Sequence, residues 1–139
     1  LSEKTFSIIK PDAVRAGNAG QILARIESSG FKILALRLIQ LSKKNAQAFY
    51  AVHSERPFFD SLTDFMSSGP AIVMVLEKDN AVDDLRKLMG ATNFAEADEG
   101  TLRKDFASSI EANAIHGSDS PESVAIEIPF FFTTLQLQG

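Results

Sequence analysis

Apolar and polar residues alternate over Thr5 to Lys10, which predicts a strand with Phe6, Ile8 and Lys10 on one face. Pro11-Asp12 reads as the stop that ends it. From Gln21 to Ser29 the spacing becomes helical, with Ile22, Leu23 and Ile26 on one side and Gly30 closing the segment. Phe31 to Leu41 returns to a strand pattern. Leu34, Leu36 and Leu38 share a face there, interrupted by Arg37 and Gln40. Ser42 suits the N-cap of a helix whose inward stripe is Ala46, Phe49, Tyr50 and His53. Pro57 suits the first position of another helix, carrying Phe58, Leu62, Phe65 and Met66 on one side until Gly69-Pro70 breaks it. Ala71 to Leu76 is a continuous apolar run and predicts a buried strand. A helix follows from about Asn80 to Met89, then a loop from Gly90 to Gly100 and a short helix from Thr101 to Ala107, capped by Thr101. Ser120-Pro121-Glu122 opens a last helix, and Phe130-Phe131-Phe132 reads as a strand or an aromatic plug.

Helices interleaved with few strands predict an α/β (α+β) fold. The order suits a split arrangement of ferredoxin-like type, a βαββαβ core with a four-stranded, mainly antiparallel sheet and added helices. There is no internal repeat, linker or low-complexity tract, so residues 1–139 are expected to form a single domain.

Composition narrows the function classes. At 45% hydrophobic and 23% charged, the chain is of the globular type and long enough to bury a core without staples. The absence of cysteine removes disulfides, thiolate nucleophiles and cysteine zinc sites together. Fourteen Lys+Arg against 18 Asp+Glu give a net charge of −4, which argues against a nucleic-acid binder. A phosphate substrate would need its cations gathered locally against this background. No apolar run approaches the roughly 18 residues that a bilayer span requires. Leu1-Ser2-Glu3-Lys4 carries no apolar leader core, and a cytoplasmic setting is expected.

Phosphate-loop, dinucleotide-binding and nucleophile-elbow motifs are all missing, and two histidines without cysteine make a zinc site a poor fit. The informative stretch is Asn113-Ala114-Ile115-His116-Gly117-Ser118-Asp119-Ser120. His116 stands in a polar, glycine-containing segment ahead of a helix start. It reads either as a turn-capping loop residue or as a nucleophile, whose second ring nitrogen must then be held by an acceptor. Glu127 is a candidate acceptor, because it shares a stripe with Val124, Ile128 and Phe131, where an unpaired carboxylate is costly. Lys10 reads as a snorkelling strand-end lysine or as a cleft cation. Arg86 lies beside the buried stripe of its helix and Arg103 in the short helix. Each alone fits a solvated face, and the three together fit the cationic cluster of phosphoryl transfer. His53 reads as a structural histidine. Phe58 and Phe59 read as core, with a base-stacking platform as the alternative.

Together these segments resemble the nucleoside diphosphate kinase family. The resemblance runs from Thr5-Phe6-Ser7-Ile8-Ile9-Lys10-Pro11-Asp12 through Phe49-Tyr50-Ala51-Val52-His53, Glu55-Arg56-Pro57-Phe58-Phe59, Ser68-Gly69-Pro70 and Leu88-Met89-Gly90-Ala91-Thr92. It continues through Gly100-Thr101-Leu102-Arg103-Lys104-Asp105-Phe106 to the stretch around His116 and the final Phe cluster. It implies a ferredoxin-like core and a ping-pong transfer of the γ-phosphoryl group from nucleoside triphosphates to diphosphates through phospho-His116. By the same resemblance Glu127 orients the ring, Ser118 supports Glu127, and Tyr50 lies beside the ring. Lys10 and Asn113 contact the sugar, with Lys10 also reaching the transferring phosphate. Arg86, Thr92 and Arg103 grip the phosphates. Phe58 stacks on the base, with Leu62 and Ile110 nearby, and broad base tolerance follows. Mg²⁺ is expected as the cofactor, held mainly by the nucleotide phosphates rather than by protein ligands. The implied assembly is a homo-oligomer built from dimers, a tetramer or a hexamer.

The chain departs from the family pattern at Asn93-Phe94, where the family usually has Asn-Pro, and in the acidic run Ala95-Glu96-Ala97-Asp98-Glu99. Pro129 is expected to interrupt the end of the last helix. A non-catalytic ligand-binding module would share the fold but leave Glu127 on an apolar stripe unexplained. A phosphohistidine carrier would leave Phe58, Arg86 and Thr92 without a purpose.

Overall fold

Four strands, β1 (Ser2–Ile9), β2 (Lys32–Ile39), β3 (Ala71–Asp79) and β4 (Ile115–Gly117), form one sheet in the order β2-β3-β1-β4. Every neighbouring pair is antiparallel. The computed structural model describes residues 2–137. Leu1, Gln138 and Gly139, which the expected single domain includes, lie outside the described residues. β1 and β2 flank β3, and β3 and β4 flank β1, so each strand–helix–strand unit leaves room for a strand of the other. This is the expected ferredoxin-like α/β arrangement. Helices α1 (Pro11–Arg15) and α2 (Ala19–Ser28) join β1 to β2. Helices α5 (Ala81–Met89) and α6 (Leu102–Phe106) lie between β3 and β4. The added pair α3 (Lys43–Phe49) and α4 (Phe59–Met66) connects β2 to β3, and α7 (Pro121–Phe131) follows β4.

Strand alternation divides the core in two. Phe6, Ile8, Val73 and Val75 face one cluster with Ala46, Tyr50, Met66, Val124 and Ile128. Ile9, Met74, Leu76 and Ile115 face the other, against Ile22, Ile26, Leu85 and Leu102. Fully burying a large aliphatic or aromatic side chain contributes about 1.5–3 kcal/mol, so both layers stabilise the sheet on which the site is built. Among the described residues no helix is long and apolar enough to cross a membrane.

Several expectations change in detail. β1 does end ahead of Pro11, at Ile9, as expected, but Pro11 also opens a helix. It occupies the first turn of α1, where its missing N–H costs nothing and its fixed φ favours the helix. α4 begins at Phe59, two residues after Pro57, with Phe58 at its N-cap. His116 is in the short strand β4, paired with Ile8 of β1, rather than in a loop. Phe130 and Phe131 belong to α7, and Phe132 is its C-cap, so the aromatic plug holds and the strand does not. α7 also runs through Pro129 to Phe131. In β2 a register shift between Ile33 and Ala35 moves Leu36 and Leu38 onto the face shared with Ile33. There they stay 42% and 65% exposed. The predicted caps are present: Ser42, Thr101 and Ser120 each accept a backbone N–H at the start of α3, α6 and α7.

Candidate active site

β4 pairs with β1 in a register that sets His116 opposite Ile8. The Ser7 hydroxyl donates to the His116 carbonyl at 2.7 Å, and the Ser118 N–H donates to the Phe6 carbonyl at 3.0 Å. The histidine backbone is thus fixed from both sides of β1. Its ring lies within 6.2 Å of Phe6, 5.8 Å of Phe49 and 6.3 Å of Tyr50, centroid to centroid, edge-on to each. Such T-shaped contacts favour one ring orientation.

The inward face of α7 carries Glu127 to this ring. Glu127 Oε1 lies 2.8 Å from His116 Nε2, and the Ser118 hydroxyl donates to the same oxygen at 2.8 Å. An ionised carboxylate only accepts, so Nε2 is the protonated nitrogen and Nδ1 keeps a free lone pair. No described residue bonds Nδ1.

Lys10 follows the last residue of β1, in line with Phe6 and Ile8, and is only 6% exposed. Its ammonium donates to Asn113 Oδ1 and to the Glu111 carbonyl, both at 2.9 Å. Burial lowers its pKa to about 8. Arg103 projects from α6 and donates to the Gly90 carbonyl at 3.1 Å and the Ile115 carbonyl at 2.8 Å. Its Nε is buried without a partner among the described residues. Burial, with the charge of Arg86 added, lowers its pKa to about 10. Burial and the Glu127 charge both push the Tyr50 phenol up, so Tyr50 stays a neutral donor.

These groups line one cavity of about 430 Å³, within the range of small-molecule sites. Of the residues read from the sequence, Lys10, Tyr50, Phe58, Leu62, Arg86, Thr92, Arg103, Asn113, His116 and Glu127 are in its wall. Ser118 is not in the wall, but its hydroxyl bonds Glu127, which is. Ile110 is 60% exposed and is not in the wall. His53 lines the cavity with its ring 5.7 Å from Phe58, so it borders the site as well as packing. Sequence reasoning gave no site role to Phe49, Met89, Asp119 or Ser123, and all four line the cavity. The signal for Phe49 was its place on the stripe that carries Tyr50. Asp119 accepts from Ser123 at 2.5 Å, and that bond, with Arg86 adding a smaller effect, holds its carboxyl below the usual range.

A ring nitrogen held by a carboxylate, a free lone pair on the other nitrogen and three cations around one cavity make an arrangement chemically able to accept a phosphoryl group. A family model described as nucleoside diphosphate kinase matches residues 3–137. The chain belongs to the nucleoside diphosphate kinase family. A nucleoside diphosphate kinase of Desulforapulum autotrophicum is 56% identical over 99% of both chains. That of Geotalea daltonii is 60% identical over 97% of this chain and 98% of its own. Among solved structures, the Aquifex aeolicus nucleoside diphosphate kinase superposes with a TM-score of 0.97 at 43% identity, covering 99% of each chain. The Halobacterium salinarum nucleoside diphosphate kinase in complex with CDP gives 0.95 at 38% identity, covering all of this chain and 93% of its own. The chain is thus a kinase that acts on nucleotides.

Proposed function

We propose that this cavity transfers the γ-phosphoryl group of a nucleoside triphosphate to a nucleoside diphosphate by a ping-pong mechanism through phospho-His116. The observation that carries the reading is the 2.8 Å contact of His116 Nε2 with Glu127, shared with Ser118, opposite Lys10, Arg86 and Arg103. In the first half, the Nδ1 lone pair attacks the γ-phosphorus in line. The bond to the bridging oxygen breaks, its electron pair stays on the diphosphate, and the diphosphate leaves. In the second half, a terminal oxygen of another diphosphate attacks the same phosphorus, and the N–P pair returns to Nδ1. No net proton moves. Glu127 accepts the Nε2 proton in hydrogen bonding and stabilises the positive ring as the N–P bond forms. Lys10, Arg86 and Arg103 offset negative charge on the transferring oxygens, and Thr92 adds a donor. Lys10 and Asn113 meet the sugar. Phe58, with Leu62 in the same wall, holds the base by stacking, which tolerates any base.

Mg²⁺ fits this site as an ion carried by the nucleotide. Apart from Glu127, already engaged by His116, the wall offers one carboxylate, Asp119, and the described residues hold no group of three metal-ligating side chains. Mg²⁺ keeps several waters and needs only phosphates plus one or two carboxylates. Bound with nucleotide, it supplies charge neutralisation on the phosphates, and Asp119 is the wall residue able to face it.

Incubation with Mg²⁺ and γ-labelled ATP is expected to leave acid-labile, alkali-stable label on the protein. A diphosphate of a different base then removes the label into that nucleotide, and His116→Ala takes up none. Absence of label, or label that never passes on, overturns the reading. The protein is further proposed to be cytoplasmic and a homo-oligomer built from dimers. Supporting this, β2 is an eight-residue edge strand with Leu36 and Leu38 exposed, a surface that natural sheets normally cover. Light scattering of Leu38→Lys against the parent is expected to show a smaller assembly, and an unchanged mass removes this support.

A further inference from the structure

Beside Lys10 is a half-buried acid that phosphoryl transfer as described does not use. Asp12, in the first turn of α1, accepts the Ala114 N–H on Oδ2 at 3.1 Å. Its Oδ1 is buried with no hydrogen-bond partner among the described residues. A buried carboxylate oxygen without a direct hydrogen bond is costly, and the neighbouring Asp12 and Ala13 N–H groups offset only part of that cost. Ala114 is a non-glycine residue with φ +75°. The Ile115 N–H returns to the Asn113 carbonyl at 2.9 Å, so Ala114 is the centre of a three-residue turn of the strained kind. The Ala114 carbonyl in turn accepts the Lys10 N–H at 2.9 Å. Both backbone groups of the strained residue are therefore tied to the junction between β1 and α1. On one side of the turn Asn113 holds the Lys10 ammonium. On the other, two residues along, stands His116. Strain of this kind persists only where its surroundings hold it, and it gathers at functional sites.

Charge points the same way. Of the charges around Lys10, Asp12 most strongly opposes the lowering that burial imposes, ahead of Glu111, while Arg103 adds to the lowering. Reciprocally, burial raises the Asp12 carboxyl and Lys10 pulls it down.

We propose that Asp12 is a positioning residue of the phosphoryl-transfer site: its carboxylate holds the strained Ala114 turn and places a negative charge near the Lys10 ammonium. The inference rests on the transfer reading above. It adds that the distance between the gripping cation and the nucleophile is set by an acid that touches neither the nucleotide nor His116.

Two variants separate the parts of this role. Asp12→Asn keeps an acceptor for the Ala114 N–H and loses the charge, whereas Asp12→Ala loses both. The Lys10 side chain is titrated by NMR in the nucleotide-free full chain, with its resonance assigned through Lys10→Arg. Its midpoint is expected to fall in both variants. Labelling by γ-labelled ATP with Mg²⁺ is then followed from pH 6 to 9. Asp12→Asn is expected to label at close to the parent rate at pH 6 and to lose labelling at lower pH than the parent as pH rises. Asp12→Ala is expected to label roughly 10- to 100-fold more slowly throughout, the scale of effect of a small misplacement in a transfer site. A Lys10 midpoint unmoved in Asp12→Asn, or a parent labelling rate in Asp12→Ala, overturns the proposal. If Asp12→Ala does not fold, the midpoint and the basic limb of Asp12→Asn decide alone. A parent chain that takes no label defeats the transfer reading instead, and the Lys10 titration still reports on Asp12.

Discussion

On the sheet face that carries Ile9, Met74, Leu76 and Ile115, the packing partners are mostly aliphatic: Ile22 and Ile26 of α2, Leu85 of α5 and Leu102 of α6. On the opposite face, one residue away along the same strands, the partners are rings. Phe6 stacks on Phe131 at 5.4 Å with the planes 2° apart, Phe49 meets both, and Tyr50 and Phe132 are buried beside them. His116 and Lys10 fall on this second face by strand parity. An aliphatic layer needs only volume and shape, and many side chains can supply those. A layer of rings also fixes orientation, because each edge-on contact has a preferred angle. The face that must keep one imidazole from turning is the face built of rings. The comparison teaches that the fold separates holding the sheet together from aiming a nucleophile, using nothing more than the two-residue period of a strand.

The sharpest way to break this comparison is to remove the charge that the ring face carries at Lys10. Lys10→Met is expected to lower transfer by roughly 10²- to 10³-fold, the loss typical of one preorganised donor at a developing charge. It is also expected to change how stability depends on pH. The native pKa of Lys10 is about 8, against 10.5 for the ordinary side chain. Between those values the unfolded chain holds the proton and the folded chain does not, so stability rises with pH across that window. The shift corresponds to about 3 kcal/mol as an upper bound. Denaturant unfolding of the parent and Lys10→Met at pH 7.5 and pH 10.5 should show the parent gaining on the variant. Equal gains would mean that Lys10 is not held against its charge. The same titration removes the ammonium from the site, so parent transfer is expected to decline above about pH 8.

Glu127→Gln comes next. It keeps the size of the side chain and an oxygen for Nε2–H but removes the negative charge beside the ring. Carboxylates that orient a working histidine typically contribute roughly 10- to 100-fold, and a loss of that size in label uptake is expected, with nucleotide affinity little changed. An unchanged rate would reduce Glu127 to packing and leave the rings alone to orient His116.

What could be read from the chain follows the same division. The aliphatic layer declared itself through periodicity in α2 and α5, and Glu127 declared itself as a carboxylate on an apolar stripe. The strand that carries His116 did not, because Ile115–Gly117 is three residues long and is a strand only through its pairing with β1. Alternation cannot register so short a segment. Pro11 reads as a breaker wherever its side of a helix start is unknown, and α1 shows it on the permissive side. The shift in β2 is invisible to a period-two reading, since it changes parity midway without changing composition. Arg103 was legible as a cation in a short helix. Its burial against the Gly90 and Ile115 carbonyls depends on a loop conformation that no spacing encodes. Ala114 is the extreme case, because alanine has no preference for positive φ and only its anchors at Lys10 and Asp12 put it there. The family resemblance supplied residue roles that periodicity could not, and the geometry supplies their physical reasons.

The smallest expected effect on transfer tests the comparison most directly, through one substitution on each face. Ile22 is fully buried in the aliphatic layer, away from the cavity wall. Ile22→Ala removes its contacts and leaves a void, which costs about 2–5 kcal/mol of stability. Phe49→Leu loses the edge-on contacts with His116, Tyr50 and Phe130, each worth about 0.5–1.5 kcal/mol beyond burial. The two variants are therefore expected to lose similar stability in denaturant unfolding. Their transfer rates per folded molecule should part, with Phe49→Leu slowed roughly 3- to 10-fold through a less fixed ring and Ile22→Ala unchanged. Saturating nucleotide below each variant's unfolding temperature isolates the rate from the stability loss. Equal slowing in both would mean that the sheet transmits any packing defect to His116, and the distinction between the two faces would be one of composition alone.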